Sequence, residues 1–406
     1  MRFFLDDEQR AFGRTLDRML TASDAPSAVR SWARGDHAPG LALWQRLAES
    51  GVFALAVPEE YGGVGPLPVE LAVAFVELGR HAVPGPLAET VAVAALLSAL
   101  GERDGGGLAR EWLPGIADGT VRTGLTVPGG SPYTLDADVC EAVFVVEEVP
   151  PEAEGPSPGR PGGPGTVADA GAESTTGGAP PEGTGRQDTP GAGRTTGRPA
   201  SGIGSAPNSP GRPGGSYRLR LAVSHGSVQP SLDPARRLAR PLAGTDIRLC
   251  SPAVRAAGGI AAGWAAFAVA AQALGVGREL LARTVAYVRA RRQFGVPVGS
   301  FQAVGHRLAD TLLALECAEP LVYGAAVALA RGTPDAGRAE VAAAKAAAGE
   351  AAYAAARTAL QLHGAIGYTA EYDLSLWLGK ARALRSAWGD PAACGLRVLD
   401  HPSLFH

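Results

Sequence analysis

The residues best suited to binding chemistry stand in the run RRQFGVPVGSFQ, residues 291–302. Arg291 carries a planar guanidinium group that can hold a pyrophosphate through two parallel hydrogen bonds. Gln293 and Gln302 supply amide hydrogen bonds, and Phe294 supplies an aromatic face. These residue types suit a dinucleotide ligand. Taken singly, an arginine and a phenylalanine on an alanine-rich helix more often form a salt bridge and a core contact.

A second candidate run is QLHGAIGYTAEYDL, residues 361–374. Its glycines let the backbone approach a ligand closely and present N–H groups to a phosphate. Gln361, His363, Gly364 and Ala365 are therefore candidate binding residues. On its own, the G-x-x-G spacing is equally typical of an ordinary turn.

The cysteines and histidines do not have the sequence spacing of a metal-binding site. Cys140, Cys250, Cys317 and Cys394 are far apart and show no C-x-x-C spacing. This spacing favours reduced thiols over a disulfide framework or a zinc site. No histidine pair has the spacing of metal ligands, and no Ser-His-Asp arrangement can be proposed. We therefore expect no metal.

Composition narrows the class of protein further. The 406 residues allow two or three packed units, and the 46% hydrophobic content is ordinary for a globular protein. The net charge of −3 shows no basic excess, which argues against a nucleic-acid partner. Acidic residues at positions 6–8 come too early for a signal peptide, so we expect a cytoplasmic location.

One uncharged stretch, residues 256–277, is long enough to span a bilayer. It consists mostly of Ala and Gly, which gain little on transfer into lipid. We therefore interpret it as a buried bundle helix and expect no membrane span.

The coarse order of elements is helices, then strands, then helices, which predicts an α+β fold that is mainly α. We expect an N-terminal helical domain over 1–117 and a β domain over 118–250. A C-terminal helical bundle should follow over 251–406, with four long helices near 253–291, 300–331, 335–362 and 371–388. Three short alternating runs in the middle, TGLTVPGG, AVFVVEEV and YRLRLAVSH, read as strands.

Between the last two strands lies a Gly- and Pro-rich segment. Residues 151–210 contain 15 Gly and 11 Pro, too little apolar surface to offset the entropy of ordering. We predict a disordered insertion over 151–216, inside a β hairpin or sheet connection.

These pieces together resemble the acyl-CoA dehydrogenase family. LDDEQRAF, VPEEYGGVG and ELGR match its N-terminal part, and YVRARRQFGVPVGSFQAVGHRLAD and QLHGAIGYTAEYDL match its C-terminal part. The resemblance implies the acyl-CoA dehydrogenase fold and the α,β-oxidation of an acyl-CoA thioester with FAD. An electron-transferring flavoprotein would be the electron acceptor.

The resemblance also implies roles for the two runs. The residues of the first run, from Arg291 to Gln302, would contact FAD from one subunit. Gln361, His363, Gly364 and Ala365 would reach the same FAD from a partner, so the chain would act as an oligomer. His306 is interpreted as structural or close to the cofactor.

The catalytic base of the family is missing from its expected positions. The resemblance places one base position on Trp388 and the other on Ala265, and it places an arginine that contacts CoA on Ala266. Asp390 is a weak candidate for a relocated base, and Glu371 a weaker one. The middle region also lacks the Trp-Ile-Thr run of the family, and it is short once the insertion is removed.

The sequence therefore predicts a flavoprotein subunit that resembles the shortened, base-lacking subunits of bacterial heteromeric acyl-CoA dehydrogenases. Its partner would be a base-carrying paralogue, and Trp388 would fill the substrate pocket. Two alternatives remain: a self-sufficient homo-oligomeric dehydrogenase with a relocated base, and a flavin-free scaffold protein.

Overall fold

The computed structural model describes residues 5–149, 216–332 and 337–400, without the side chains of 102–106, 243 and 245. The predicted disordered insertion, apart from Ser216, lies outside the described residues. Its two ends meet, because the Val149 N–H donates to the Ser216 carbonyl at 2.8 Å.

Five helices form the N-terminal part: α1 (Asp7–Thr21), α2 (Ala25–Ala33), α3 (Ala38–Glu49), α4 (Pro68–Arg80) and α5 (Leu87–Ala117). A capping box starts α1, where Asp6 and Gln9 exchange side-chain and backbone hydrogen bonds. Helix α5 is interrupted at Gly101, whose φ of +62° leaves the helical region. The short helix α2 was not predicted, because its nine residues give too little periodicity.

The middle part contains six strands: β1 (Thr123–Thr126), β2 (Thr134–Leu135), β3 (Ala142–Glu148), β4 (Tyr217–His225), β5 (Leu238–Ala239) and β6 (Pro241–Cys250). The main sheet has the order β1-β3-β4-β6, with β1 parallel to β3 and the other pairs antiparallel. The three predicted strands are confirmed as β1, β3 and β4. Strand β6 was not predicted, because polar and apolar residues do not alternate regularly along PLAGTDIRLC. Its pairing with β4 shifts register three times.

The C-terminal part contains α6 (Pro252–Ala290), α7 (Gln302–Ala330), α8 (Arg338–His363), α9 (Leu374–Ser386) and α10 (Pro391–Leu399). Between α6 and α7 lies a two-stranded hairpin, β7 (Arg292–Gln293) and β8 (Val296–Pro297). The four long predicted helices are confirmed. Helix α10 was not predicted. The Asp-Pro pair at 390–391 was interpreted as the end of a helix, whereas in the structure it starts this last helix.

Helices α4 and α6 cross at very close range, which fixes the centre of the molecule. A Cβ atom on Gly275 would lie 1.9 Å from the Val76 carbonyl oxygen, and one on Gly79 would lie 2.0 Å from the Gln272 carbonyl oxygen. Only glycine fits at these two positions. Gln272 of α6 lies at this crossing.

One hydrophobic core links the three parts of the chain. It includes Trp32 of α2, Phe144 of β3, Phe267 of α6 and Trp377 of α9, each at most 1% exposed. Domain boundaries near residues 117 and 250 remain predictions.

Two helices are long and apolar enough to cross a membrane, α6 and α7. In α6, 78% of the most apolar 18-residue stretch is buried within the protein, which identifies α6 as a core helix. In α7 the buried share is 39%, and Leu312, Leu313 and Leu321 are between 42% and 63% exposed.

Candidate functional site

Trp388 lies in a tight turn after α9 and points inward. Its φ of +56° is left-handed, a region that bulky residues rarely adopt. The indole Nε1–H donates to Oε1 of Glu89 at 3.0 Å, and the ring packs against the core. Glu89 lies in the first turn of α5 and is only 3% exposed. An indole thus covers a buried carboxyl group at the point where the resemblance placed the base.

Next to this contact lies a small cavity. Its polar lining consists of Glu89, Arg236, Gln272 and Lys380, and its volume of about 10 Å³ has room for about one water molecule. Oε2 of Glu89 has no hydrogen-bond partner among the described residues. A buried polar atom without a partner is costly. Other described side chains, such as Trp112 and His363, also have such atoms, and Glu89 differs from these two in lining the cavity.

Sequence reasoning missed Glu89. The available signal was one carboxyl group in the apolar run LAETVAVAALLSAL, on a helix that is otherwise core. Its contact with Trp388, 299 positions away in the chain, could not be inferred from spacing.

Helix α9 is anchored at two points, and these fix the turn that follows it. The Trp377 Nε1–H donates to the Arg80 carbonyl at 2.9 Å. Lys380 forms an ion pair with Asp233, with Nζ and Oδ2 3.0 Å apart and both side chains at most 3% exposed. Such buried pairs are tolerated only when both charges are present.

Lys345 of α8 reaches the same turn from the other side. Its Nζ donates to the carbonyls of Arg385 at 3.0 Å and Gly389 at 2.8 Å, on either side of Trp388. The side chain is 1% exposed, and burial lowers the pKa of its ammonium group to about 8. Lys345 was not singled out from the sequence.

The other candidate base positions hold an alanine, a helix-capping carboxyl group or an exposed carboxyl group. Ala265 and Ala266 are buried in α6, at 0% and 3% exposure. Oδ1 of Asp390 accepts from the backbone N–H groups of Ala392 and Ala393, at 2.9 and 3.0 Å, as the N-cap of α10. Glu371 is exposed in the loop before α9.

Residues on either side of the first predicted binding run contact the second run within the same chain. The rings of Tyr287 and His363 stack with their centroids 4.1 Å apart, and Arg307 donates to the side-chain oxygen of Gln361. An open groove of about 640 Å³ follows, lined by Arg357, Leu360, Gln361, Gly364, Ala365 and Tyr368. The groove is lined by residues of α8 and of the second run, and a division of the FAD contacts between two subunits stays a prediction.

The individual residues of these runs differ in exposure. Arg291, Gln293, Phe294 and Gln302 are all exposed, and Phe294 reaches 91% at a left-handed φ of +53°. His363 is buried instead, and its Nδ1–H donates to the Ala359 carbonyl at 2.8 Å. Burial lowers the pKa of this imidazole. The buried ring supports the fold beneath the groove.

One cluster offers three possible metal ligands, Asp17, Glu77 and His81. Arg80 donates to Glu77 at 2.8 Å and lies 3.2 Å from Asp17, so a cation of the protein already pairs with both carboxyl groups. We assign it as an ion-pair network. All four cysteines lie among the described residues and are free thiols.

Family models match two parts of the chain. The model described as acyl-CoA dehydrogenase, N-terminal domain, matches residues 6–120, and the C-terminal domain model matches residues 261–392. The two matches together cover more than half of the chain. The chain belongs to the acyl-CoA dehydrogenase family.

Similarity to individual acyl-CoA dehydrogenases extends along the whole chain. Acyl-CoA dehydrogenase IpdE2 of Mycobacterium tuberculosis is 29% identical over 379 residues, 92% of this chain and 91% of that protein. The Tcur3481–Tcur3483 steroid ACAD variant has a TM-score of 0.70 at 21% identity and covers 97% of both chains. The ChsE4–ChsE5 complex of Mycobacterium tuberculosis has a TM-score of 0.69 at 20% identity, covering 99% of this chain and 100% of the other.

Proposed function

We propose that this chain is a base-lacking, FAD-binding subunit of a heteromeric acyl-CoA dehydrogenase in the cytoplasm. The observation that carries the proposal is that Trp388, on which the resemblance places the family's base, donates its indole N–H to Glu89. An indole N–H is only a hydrogen-bond donor, so it cannot remove the α-proton of a thioester. A carboxyl group of a paralogous subunit would perform that step.

The closed interior supports the same conclusion. The cavity beside Glu89 has room for about one water molecule, which is too little for an acyl chain. Productive catalysis needs the thioester held against both a base and the flavin. In the proposed complex the acyl chain therefore occupies only the site whose base the paralogue supplies.

The exposed groove fits the adenosine diphosphate half of FAD. Arg357 lines the groove and offers a cation for the pyrophosphate. By the family resemblance, the exposed Arg291 and Phe294 would add a second cation and an aromatic face from outside the groove lining. Gln361 and the backbone at Gly364 line the groove that would receive the remaining polar groups. When bound, FAD supplies the hydride acceptor of this class of reaction.

The similar proteins support a heteromer and a substrate class. One similar structure is named as a complex of two proteins, and another as a steroid ACAD. We therefore propose a steroid-derived acyl-CoA thioester as the substrate of the complex, with an electron-transferring flavoprotein as the electron acceptor.

The test is to purify this chain alone and together with a base-carrying acyl-CoA dehydrogenase paralogue encoded beside it. We expect a flavin absorbance spectrum from the co-purified pair, and bleaching of that spectrum when the acyl-CoA is added. In the pair, Arg291→Gln should weaken FAD binding by about tenfold or more, because a charge-assisted contact to phosphate is lost. Arg292→Gln is the matched control, since Arg292 contacts Gly295 of its own hairpin.

Glu89 favours a second candidate function, a self-sufficient dehydrogenase. Its Oε2 atom is buried and lacks a hydrogen-bond partner within the described part of the chain, and the side chain lines the cavity. If Trp388 moved away, Glu89 could act as a general base. This candidate predicts bleaching by an acyl-CoA in the isolated chain and loss of bleaching in Glu89→Gln. A colourless pair whose stability is indifferent to FAD would instead support a scaffold protein.

A further inference from the structure

The turn that carries Trp388 is held in an unfavourable backbone conformation. We define the Trp388 turn as residues 385–389, the link from the end of α9 to the N-cap of α10. Trp388 has a φ of +56° and Gly389 has a φ of +130°. A bulky residue persists in the left-handed region only where its surroundings hold it there. The question is which residues hold it.

Lys345 holds the backbone of the turn. Its ammonium group donates to the Arg385 carbonyl in the last turn of α9 and to the Gly389 carbonyl just after Trp388. Carbonyls at a helix C-terminus lack partners within the helix and attract a cation. The turn is therefore bound to α8 on both sides of Trp388. A fully buried lysine with backbone carbonyls as its acceptors has a positioning role.

Glu89 holds the side chain. It lies on α5, far from Lys345 in the chain, and accepts the indole N–H of Trp388 at 3.0 Å. With the backbone bound by α8 and the indole bound by α5, the ring has one position. The same Glu89 side chain also lines the small cavity.

We propose that Lys345 and Glu89 are specificity-determining positioning residues that keep Trp388 in the acyl pocket of this subunit. The excluded ligand is the acyl chain of a CoA thioester. The inference rests on the proposed function, because it explains how this subunit leaves substrate binding to its partner. Release of either contact allows the indole to swing out and opens the pocket.

The first experiment follows Trp388 itself. The full chain is labelled with 5-fluorotryptophan, and the ¹⁹F resonance of Trp388, one of six tryptophans, is assigned with Trp388→Phe. Lys345→Met and Glu89→Leu should each move that resonance toward the solvent-exposed position and increase its D₂O isotope shift. Glu89→Gln keeps the acceptor oxygen and should leave the resonance in place.

Arg385→Ala is the matched control on the same turn. Its side chain pairs with Glu350 at the surface, whereas Lys345 binds only its backbone carbonyl. The Trp388 resonance should therefore not change. An unchanged resonance in both Lys345→Met and Glu89→Leu overturns the inference.

Wild-type protein gives an answer even if a variant fails to fold. The Trp388 indole N–H should exchange slowly with D₂O, because it is hydrogen-bonded to a buried group. Exchange within the mixing time overturns the inference.

A second readout separates the inference from the proposed function. Binding of octanoyl-CoA to the full chain is measured by calorimetry. We expect no detectable binding in the wild type, and a gain of about tenfold or more over the detection limit in Lys345→Met, Glu89→Leu and Trp388→Ala. A displaced Trp388 resonance in the first two variants, with no binding even in Trp388→Ala, leaves the positioning role intact and overturns the plugged-pocket function.

Discussion

The region around Trp388 and the exposed surface of the two predicted binding runs differ in how complete they are. Around Trp388 the chain supplies its own partners: Glu89 for the indole, Lys345 for the backbone, and Asp233 for Lys380. On the surface of the binding runs the chain presents an almost fully exposed Phe294 in the first run and an open groove at the second. In the first region the side chains find their partners within one chain. In the second they are exposed and available to a ligand or a partner subunit. A subunit that lost its own reaction centre but kept its share of a common one would show this difference.

The largest expected effect comes from breaking the buried ion pair beside the closed region. Asp233→Ala leaves the Lys380 ammonium buried without its counter-charge, which should lower the free energy of unfolding by about 3–5 kcal/mol. Urea denaturation measures the loss. The double variant Asp233→Leu with Lys380→Met should recover most of it. A single-variant loss below about 1 kcal/mol would contradict the assignment.

The buried carboxyl group of Asp136 should make stability depend on pH. It is 0% exposed, accepts from the Trp32 indole at 3.1 Å, and burial raises its pKa to about 8. Because the folded state then binds a proton that the unfolded state releases, stability falls as pH rises from about 4 to about 8, by at most about 1.4 kcal/mol per pH unit. Asp136→Asn should remove this slope. Urea midpoints measured at pH 5, 6, 7 and 8 decide, and equal slopes in both proteins would refute the prediction.

Removing the indole N–H alone should cost less. Trp388→Phe keeps an aromatic ring but leaves the Glu89 carboxyl group without its donor, so we expect a loss of about 1–3 kcal/mol. Trp112→Phe is the control, because the Trp112 Nε1 is buried and has no acceptor among the residues described. That change removes the same ring atoms without breaking a hydrogen bond, so it should cost less than Trp388→Phe. An equal loss in both variants would mean that ring shape, not the hydrogen bond, is responsible.

The smallest effect on the stability of the isolated chain is expected at Phe294. Phe294→Ala should change the free energy of unfolding by less than about 0.5 kcal/mol, because the side chain is 91% exposed. In the pair with the paralogue, the same change should weaken FAD retention or assembly by about tenfold. Gel filtration and flavin absorbance on one sample measure both. A destabilised single chain would show that Phe294 is already covered, and the contrast between the regions would fail.

Much of the fold could be predicted, because long helical periodicity and Gly/Pro punctuation are local signals. The bundle helices and strands β1, β3 and β4 belong to this group. Helix α10 was missed because Asp390 followed by proline is typical of both a helix end and a helix start. The site was harder. The pairing of Trp388 with Glu89, and the adjacency of Gln361 to Arg307, depend on how helices cross, which no short stretch of sequence records.

The joined ends of the insertion have a practical consequence. Val149 and Ser216 are hydrogen-bonded neighbours at the end of the antiparallel pair β3–β4, although residues 150–215 separate them in the chain. Closing a flexible loop costs only about 0.6 kcal/mol more each time its length doubles. The sheet therefore places almost no limit on what is spliced between these two residues. Chain length at this point is free to vary, and a reporter domain with closely spaced termini could be inserted there while the strands on both sides keep their register.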